Sequence, residues 1–399
     1  MAVNPSPKRT SLFRQRGTAE GERVEYVELF FDLVFVFAVT RLSHTLLEDL
    51  SGVGALKVAL LLGAVWWVWI YTSWVTNWLA PERLPVRLCL FVMMGAGLLL
   101  AVAIPHAFTD YALVFASCYV AMQLGRTAFF LWAARDGSRE LRRAFWRIFA
   151  WFCVSAVFWL AGALRQSLQP AAWTLALGLE YAGPAVYYWV PGMGRSHTRD
   201  WNIAGGHLAE RCGLFVIIAL GESLLLTGTA FADLEWNSHT PAALLAFGSA
   251  AVGSILMWWI YFDTGAQRAH YRIAHSADPG QQGRIAYTYI HTLIVGGIIV
   301  SAVADELLLA HGDHGVPWIV ILSGPLLYLM GTALFKWVMN DRRAPPFSHL
   351  VGFALLLALI WPAHSHQFTT LGLGITTTGV LLVVAIWESI ALARPTRTP

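Results

Sequence analysis

Ionisable side chains within long apolar runs are the residues of this 399-residue chain most able to do chemistry. A charged group inside a membrane is costly, so each one marks a candidate site and implies a partner. Glu28 and Asp32 are four residues apart and share one helix face, as do His207 and Arg211. The candidates are Glu28, Asp32, Arg41, Arg126, Glu180, His207, Glu210, Arg211 and Glu222.

Three interpretations of these candidates remain open. The first is a structural ion-pair network in which Arg126 and Arg211 hold the acids of the set. The second is a path for a cation or for protons, with Asp32 and Glu222 as the transport carboxylates. The third is an anion or lipid-headgroup site around the two arginines.

The depth of each acid in the membrane bears on these interpretations. Glu222 lies eleven residues beyond Arg211, which places it on the same helix face about 16 Å further along, near mid-membrane. Glu28, Asp263 and Glu388 lie near the ends of their apolar runs, so solvation at the interface is the simpler expectation for them.

Metal and enzyme chemistry have little support. Histidines between apolar runs could bind Zn²⁺, but solvated loops are the simpler expectation, and no cofactor is predicted. The weak metal candidates are His311, His314, His364 and His366. The chain has no phosphate-binding glycine loop, HExxH zinc motif or GxSxG nucleophile motif, so no enzymatic activity is expected.

Composition identifies the elements that must position these residues. The chain is 57% hydrophobic and only 13% charged, with a mean hydropathy of +0.57. A soluble domain is about 25% charged. These values exclude a disordered chain, a soluble enzyme and a nucleic-acid-binding domain, and they predict an all-α integral membrane protein in contact with lipids.

A bilayer core about 30 Å thick needs about 20 apolar residues of helix. The sequence contains twelve such runs, and proline residues lie in several of the connections between them. The predicted spans are 27–47, 53–79, 86–104, 111–134, 145–163, 171–190, 207–231, 241–263, 284–304, 317–338, 349–363 and 369–392.

The basic residues predict the orientation. With the N-terminus in the cytoplasm, 22 of the 27 Lys and Arg residues lie on the inner side and only Lys57 and Arg165 on the outer side. The other three are Arg41, Arg126 and Arg211, within spans. Because short cytoplasmic loops carry an excess of basic residues, both termini are predicted to be cytoplasmic.

Short matches between the two halves predict an internal duplication. Four pairs occur in the same order, at offsets of 190, 205, 200 and 202 residues. Six spans per half is an even number, so the repeats are expected to be parallel. The predicted divisions are a tail (1–26), a first repeat (27–192), a linker (193–206), a second repeat (207–392) and a second tail (393–399). Most of the intramembrane charges have no counterpart in the other half, so any site is expected to be asymmetric.

Two stretches of the sequence form distinctive motifs, VELFFDLVFVFAVT at 27–40 and HLAERCGLF at 207–215, the latter leading to LGES at 220–223. They resemble the bacterial low temperature requirement protein A family, and the resemblance extends over about residues 20–392. The resemblance implies a polytopic bacterial membrane protein without an assigned substrate. It marks as motif positions Glu28, Asp32, Glu210, Arg211, Gly221 and Glu222.

A fainter similarity connects 30–32 with a duplicated six-span potassium-channel family whose first helix carries Phe-Ser-Asp. Here the serine is missing and the second half has no such aspartate. The sequence therefore favours a transporter or channel for a small cation or a proton-coupled solute in a bacterial cytoplasmic membrane. The alternative is a structural or lipid-interacting protein of cold adaptation that transports nothing.

Overall fold

The computed structural model describes residues 11–14, 23–197, 203–234, 240–263, 271–273, 276, 278–311, 316–339 and 344–393. Within these ranges the chain is almost entirely helical, and its only β-structure is two isolated bridges. Eleven helices of the described residues are long and apolar enough to cross a membrane.

The helices of the first half are α1 (Tyr26–Glu48), α2 (Gly52–Trp78), α3 (Leu84–Ala103), α4 (Ala112–Ala133), α5 (Arg139–Leu164) and α6 (Gln169–Ala185). Those of the second half are α7 (Gly205–Ala232), α8 (Thr240–Tyr261), α9 (Pro279–Ala310), α10 (Trp318–Met339), α11 (Phe347–His364) and α12 (Thr370–Ala393). Short 3-10 turns follow α3 (Ile104–His106) and α4 (Ala134–Asp136). Helix α9 includes a π-helical segment, Gly283–Ile290.

The predicted sixth span corresponds to α6, which has 17 residues and is not among the eleven. Gln169 at its start donates to the carbonyl of Ala107, just beyond the end of α3. Pro184 near its end accepts from Arg284, at the start of α9. Helix α6 therefore reaches both ends of the bundle, while the count of twelve spans stays a prediction.

The two ends of the bundle are named here by their charge. The end at which α1 begins and α2 ends carries most of the basic residues and is called the basic end. The opposite end, with Glu48, Asp49 and Asp110 at its helix ends and connections, is called the acidic end.

Capping side chains mark the start of several helices. Ser51 accepts from the amide of Gly54 at the start of α2, and Ser138 accepts from the amide of Leu141 at the start of α5. These caps satisfy amides that have no partner within the helix.

The helices pair in the same way in both halves. In the first half, α1 packs on α2 and α3, α4 joins α3 to α5, α5 packs on α6, and α2 packs on α4 and α6. In the second half, α7 packs on α8 and α9, α10 joins α9 to α11, α11 packs on α12, and α8 packs on α10 and α12. The halves meet where α1 and α2 contact α7 and α9.

Aromatic side chains fill the contact between the halves. Trp66, Trp67 and Trp69 of α2 are at most 1% exposed. The rings of Trp66 and Trp69 lie 5.4 and 4.4 Å from the ring of Phe215 on α7, measured between centroids. The tryptophan run thus packs the helices, and the exposed side chains of the outer helices are largely apolar, as contact with lipid requires.

Candidate functional site

A group of charged side chains joins the two halves at the basic end of the bundle. We call Arg14, Glu28, Asp32, His207 and Arg211 the central cluster. The two acids lie in the first two turns of α1, and His207 and Arg211 lie in the first two turns of α7. Four of the five residues are 0% exposed, and Arg14 is 9% exposed.

Arg211 binds both carboxylates of α1. Its Nη1 donates to Oε1 of Glu28 at 2.9 Å, and its Nη2 donates to Oδ1 of Asp32 at 2.5 Å. Since the two acids are one helical turn apart, one planar guanidinium reaches both. The i, i+4 spacing in the sequence therefore has a geometric purpose.

Glu28 is the most connected member of the cluster. It accepts from Nη2 of Arg14 at 2.5 Å and lies 3.1 Å from Nε2 of His207. It also accepts the amide of Glu25 at 3.0 Å and so caps α1. Burial with these partners corrects the expectation that Glu28 is solvated at the membrane interface.

Asp32 has fewer partners. Besides Arg211, its Oδ1 accepts from Nε1 of Trp69 at 2.7 Å. Its second oxygen, Oδ2, is buried and has no hydrogen-bond partner in the described part of the chain. A carboxylate oxygen without a partner in a dry interior is costly, so this oxygen is a free acceptor at the contact between the halves.

Arg14 is the member that sequence reasoning missed. Residues 11–14 lie against the end of α2, where the amide of Arg14 donates to Trp78 O and the amide of Ala80 donates to Leu12 O, both at 2.8 Å. The Nε of Arg14 donates to Thr76 O at 2.7 Å. In the sequence Arg14 is one of five basic residues of a polar tail, so no local signal separates it from the others.

Charge is balanced within the central cluster. The guanidinium groups of Arg14 and Arg211 face the carboxylates of Glu28 and Asp32, and His207 also contacts Asn77 at 3.2 Å. Buried charges are tolerated when they are paired and hydrogen-bonded, whereas removal of one partner leaves an uncompensated charge. The cluster can therefore hold the two halves together.

Arg126 and Glu180 belong to a separate cluster inside the first half. Arg126 donates to Val68 O at 3.0 Å and to Gln123. Glu180 accepts from Tyr119 at 2.5 Å and from Gln123 at 3.0 Å. Arg126 makes no ion pair with any acid in the described residues. The expectation that Arg126 clamps or positions the acids of α1 is therefore wrong. The arginines that bind these acids are Arg211 and Arg14.

Glu222 lies towards the acidic end, beside Thr40 and His44 of α1 and near Glu306 of α9. Thr40 is eight residues beyond Asp32, so the two proposed transport carboxylates are about 12 Å apart along the bundle. The stretches between them, 33–39 on α1 and 212–221 on α7, are apolar. The polar regions around Asp32 and Glu222 thus lie along the same contact between α1 and α7. An apolar stretch of that contact separates them.

Two predicted site residues lie outside all of these clusters. Glu210 is on the exposed face of α7, and Arg41 is half-buried on α1. Neither forms an ion pair within the described ranges. Although Glu210 and Arg211 are adjacent in the motif, consecutive helix positions point in different directions, so only Arg211 reaches the contact between halves.

A third buried cluster lies in the second half. Lys336 of α10 donates to Glu388 of α12 at 2.6 Å and to Ile260 O of α8 at 2.6 Å. Lys336 is 1% exposed and Glu388 is 4% exposed. The expectation that Glu388 is solvated at the interface is therefore wrong, and Lys336, counted with the basic residues of the inner side, is buried inside the bundle. The available signal was the apolar sequence on both sides of Lys336.

Of the four weak metal candidates, the structure describes the side chains of two. His364 and His366 are exposed, and the ring of His364 packs on Trp318 with 5.9 Å between centroids. The side chains of His311 and His314 are outside the described part of the chain. No group of three or more metal-ligating side chains occurs among the described residues.

Together, the apolar helices and the buried charged clusters define a polytopic α-helical membrane protein. The model of the bacterial low temperature requirement A protein (LtrA) family matches residues 23–386, and the chain belongs to this family. It is 41% identical over 382 residues to the uncharacterized protein RA0937 of Rhizobium meliloti (strain 1021), an alignment that covers 93% of this chain and 90% of the relative. No solved structure matches the chain.

Proposed function

We propose that this protein is a secondary transporter for a small cation or a proton-coupled solute, with its pathway between the two halves. We place it in the bacterial cytoplasmic membrane with twelve spans, both termini and the basic end facing the cytoplasm. The two halves are parallel repeats, which the shared helix pairing supports. A further parallel is that Arg126 of α4 binds a carbonyl of α2, and Lys336 of α10 binds a carbonyl of α8.

One observation carries the proposal. Asp32 is fully buried between the halves, is held through one oxygen by Arg211 and Trp69, and keeps its other oxygen without a partner in the described structure. Apolar packing alone can hold two helices together, so an incompletely satisfied carboxylate at this position points to a use. Binding a proton or cation at Oδ2 would satisfy it.

The central cluster acts in this proposal as a closed gate at the cytoplasmic side. Opening requires the bonds between Arg211 and the acids of α1 to separate, because these bonds cross from one half to the other. Glu222 receives the cation from the acidic end, and the apolar stretch between Asp32 and Thr40 prevents leakage. Neutralisation of Asp32 weakens its pairing with Arg211 and so couples binding to the movement of the halves.

A second function is favoured by the burial and mutual pairing of the cluster. Glu28, Arg211 and His207 are fully buried and mutually bonded, as in a static network that holds spans together. Under this alternative the protein is a structural or lipid-interacting membrane factor and carries no flux.

Flux in proteoliposomes distinguishes the two functions. Vesicles with a trapped pH-sensitive dye are challenged with gradients of H⁺, Na⁺ or K⁺, for the native chain and for Asp32→Asn, Glu222→Gln and Glu210→Gln. We expect the first two variants to abolish flux while staying folded and the third, on the exposed face of α7, to be as active as the native protein. Folded Asp32→Asn with native flux would remove Asp32 from the mechanism. An absence of flux from the native protein with all three ions would favour the static network.

A further inference from the structure

A groove of about 720 Å³ opens between α2 and α6, away from the central cluster. One stripe of α2 lines it from Val53 to Gly63, and one stripe of α6 lines it from Pro170 to Tyr181. Both stripes recur every three or four residues, so each presents one continuous helix face. Thr292 of α9 also lines the groove, which brings both halves of the protein into the lining.

The groove narrows towards the middle of the bundle. Tyr181 donates to the carbonyl of Gly63 at 3.1 Å, and a Cβ atom added to Gly63 would lie 2.9 Å from Cδ2 of Leu177. The helices are thus in contact at this level and separate towards the acidic end. The ten helical steps from Val53 to Gly63 span about 15 Å. This is about half of a 30 Å hydrocarbon core, which is the depth of one leaflet.

The lining is largely apolar, and its one charged residue among those described is Lys57, near the mouth. Its hydroxyl groups belong to Thr174, Tyr181 and Thr292. The Lys57 ammonium lies 5.6 Å from the ring centroid of Phe108. It has no carboxylate within 4 Å in the described part of the chain. Only one other basic residue, Arg165, is predicted on this side of the membrane. A long lysine with an apolar stem is suited to reach from hydrocarbon to the headgroup level.

Asp49 is the other charge close to this mouth. The Ser51 hydroxyl and amide hydrogen-bond to it and, with a weaker contribution from Lys57, hold the pKa of the exposed Asp49 carboxyl below its usual range. The Asp49 carboxylate is exposed to solvent, so its attraction for the Lys57 ammonium is weak.

We propose that this groove binds one phospholipid of the leaflet at the acidic end, with an acyl chain along α2 and α6 and the phosphate at Lys57. The depth of the groove equals one acyl chain, and the charge at its mouth complements a phosphate. Val53 and Leu56 are 62% and 73% exposed, so the groove is open sideways to lipid. Gly178 lies in its wall, and a Cβ there would meet nothing within 4 Å.

The bound chain also contacts Thr292, so this lipid bridges the first and second halves. The inference is independent of transport through Asp32, because none of the central cluster lines the groove.

Native mass spectrometry of the full-length protein in detergent tests the site. The probes are palmitoyl-oleoyl-phosphatidylglycerol and palmitoyl-oleoyl-glycerol, which have the same chains and differ in the phosphate-bearing headgroup. We expect the native protein to retain one phosphatidylglycerol and to bind it about fivefold more tightly than the diacylglycerol. Lys57→Gln should remove this preference, and Lys57→Arg should keep it.

Filling the groove tests the acyl-chain site. Gly178→Phe should lose the tightly bound lipid of either kind. The matched control is Gly95→Phe on α3, another exposed helix position with open space around it, which should bind like the native protein. If Gly178→Phe does not fold, Thr174→Trp fills the same face and takes its place. Unchanged lipid retention in a folded groove-filling variant would overturn the proposal. So would a dimer of the native chain that dissociates in Gly178→Phe, since the groove would then hold a second copy.

Discussion

Substitution of Arg211 is the sharpest test of how the central cluster holds the protein together. Arg211→Met keeps much of the side-chain volume and removes the charge that bridges α7 to α1. Glu28 would still have Arg14 and His207 as partners. Asp32 would retain only the indole of Trp69 and become a buried charge without a cation.

The expected loss of stability follows from this difference between Glu28 and Asp32. Breaking a buried ion pair by removing one partner destabilises a protein by about 3–5 kcal/mol. Most of this penalty should arise at Asp32, so adding Asp32→Asn to Arg211→Met should recover about 2 kcal/mol. Adding Glu28→Gln instead should recover less than about 1 kcal/mol, because Glu28 is already compensated by Arg14.

The measurement is the free energy of unfolding in bicelles, obtained by steric trapping for the three single variants Arg211→Met, Asp32→Asn and Glu28→Gln and for the two double variants. Arg41→Met is the control, since Arg41 is half-buried on the same helix as Asp32 and has no ion pair in the described structure. It should change stability by less than about 1 kcal/mol. An Arg211→Met protein as stable as the native one, or a double variant with Asp32→Asn that recovers nothing, would refute the assignment of Asp32 to Arg211.

Two further predictions concern the other buried clusters. Lys336→Met should lower the free energy of unfolding in bicelles by about 3 kcal/mol, because the buried Glu388 loses its lysine partner, and adding Glu388→Gln should recover most of this loss. Equal stability of the single and double variants would contradict the pairing. Arg126→Met should lower the stability measured by thermal unfolding by about 2 kcal/mol, because its partners Val68 O and Gln123 are neutral and lose only hydrogen bonds. The folded variant should keep native flux, and abolished flux would instead give Arg126 a role in transport.

Much of the helical architecture was predictable because it depends on local chemistry. A run of about 20 apolar residues satisfies its own backbone only as a helix in lipid. Eleven of the twelve predicted spans accordingly correspond to helices long enough to cross a membrane. The 17-residue α6 falls short by length, although its end contacts with Ala107 and Arg284 extend over the whole bundle.

The partners of the charges were less predictable, because pairing depends on which helices are neighbours. The spacing of Glu28 and Asp32 placed both acids on one face, but it could not distinguish Arg126 from Arg211 as their partner. Helix α7 lies against α1, whereas α4 packs on α2, α3 and α5. For this reason Arg126 binds within the first half, at Val68 of α2. Arg211 instead reaches Glu28 and Asp32 of α1.

Three properties were determined by the sequence alone, because composition, periodicity and motifs belong to the chain itself. Composition places the protein in a membrane, periodicity identifies the charged faces of α1 and α7, and the motifs identify the family. Only the tertiary structure brought Arg14 of the tail onto Glu28 and paired Lys336 with Glu388. It also left one oxygen of Asp32 without a partner in the described residues. The contacts of Arg14 and Lys336 join residues 14 and 52 positions apart, respectively. The contact of Arg211 with Glu28 joins residues 183 positions apart. The low dielectric of the interior makes each of these contacts strong only after the helices have packed.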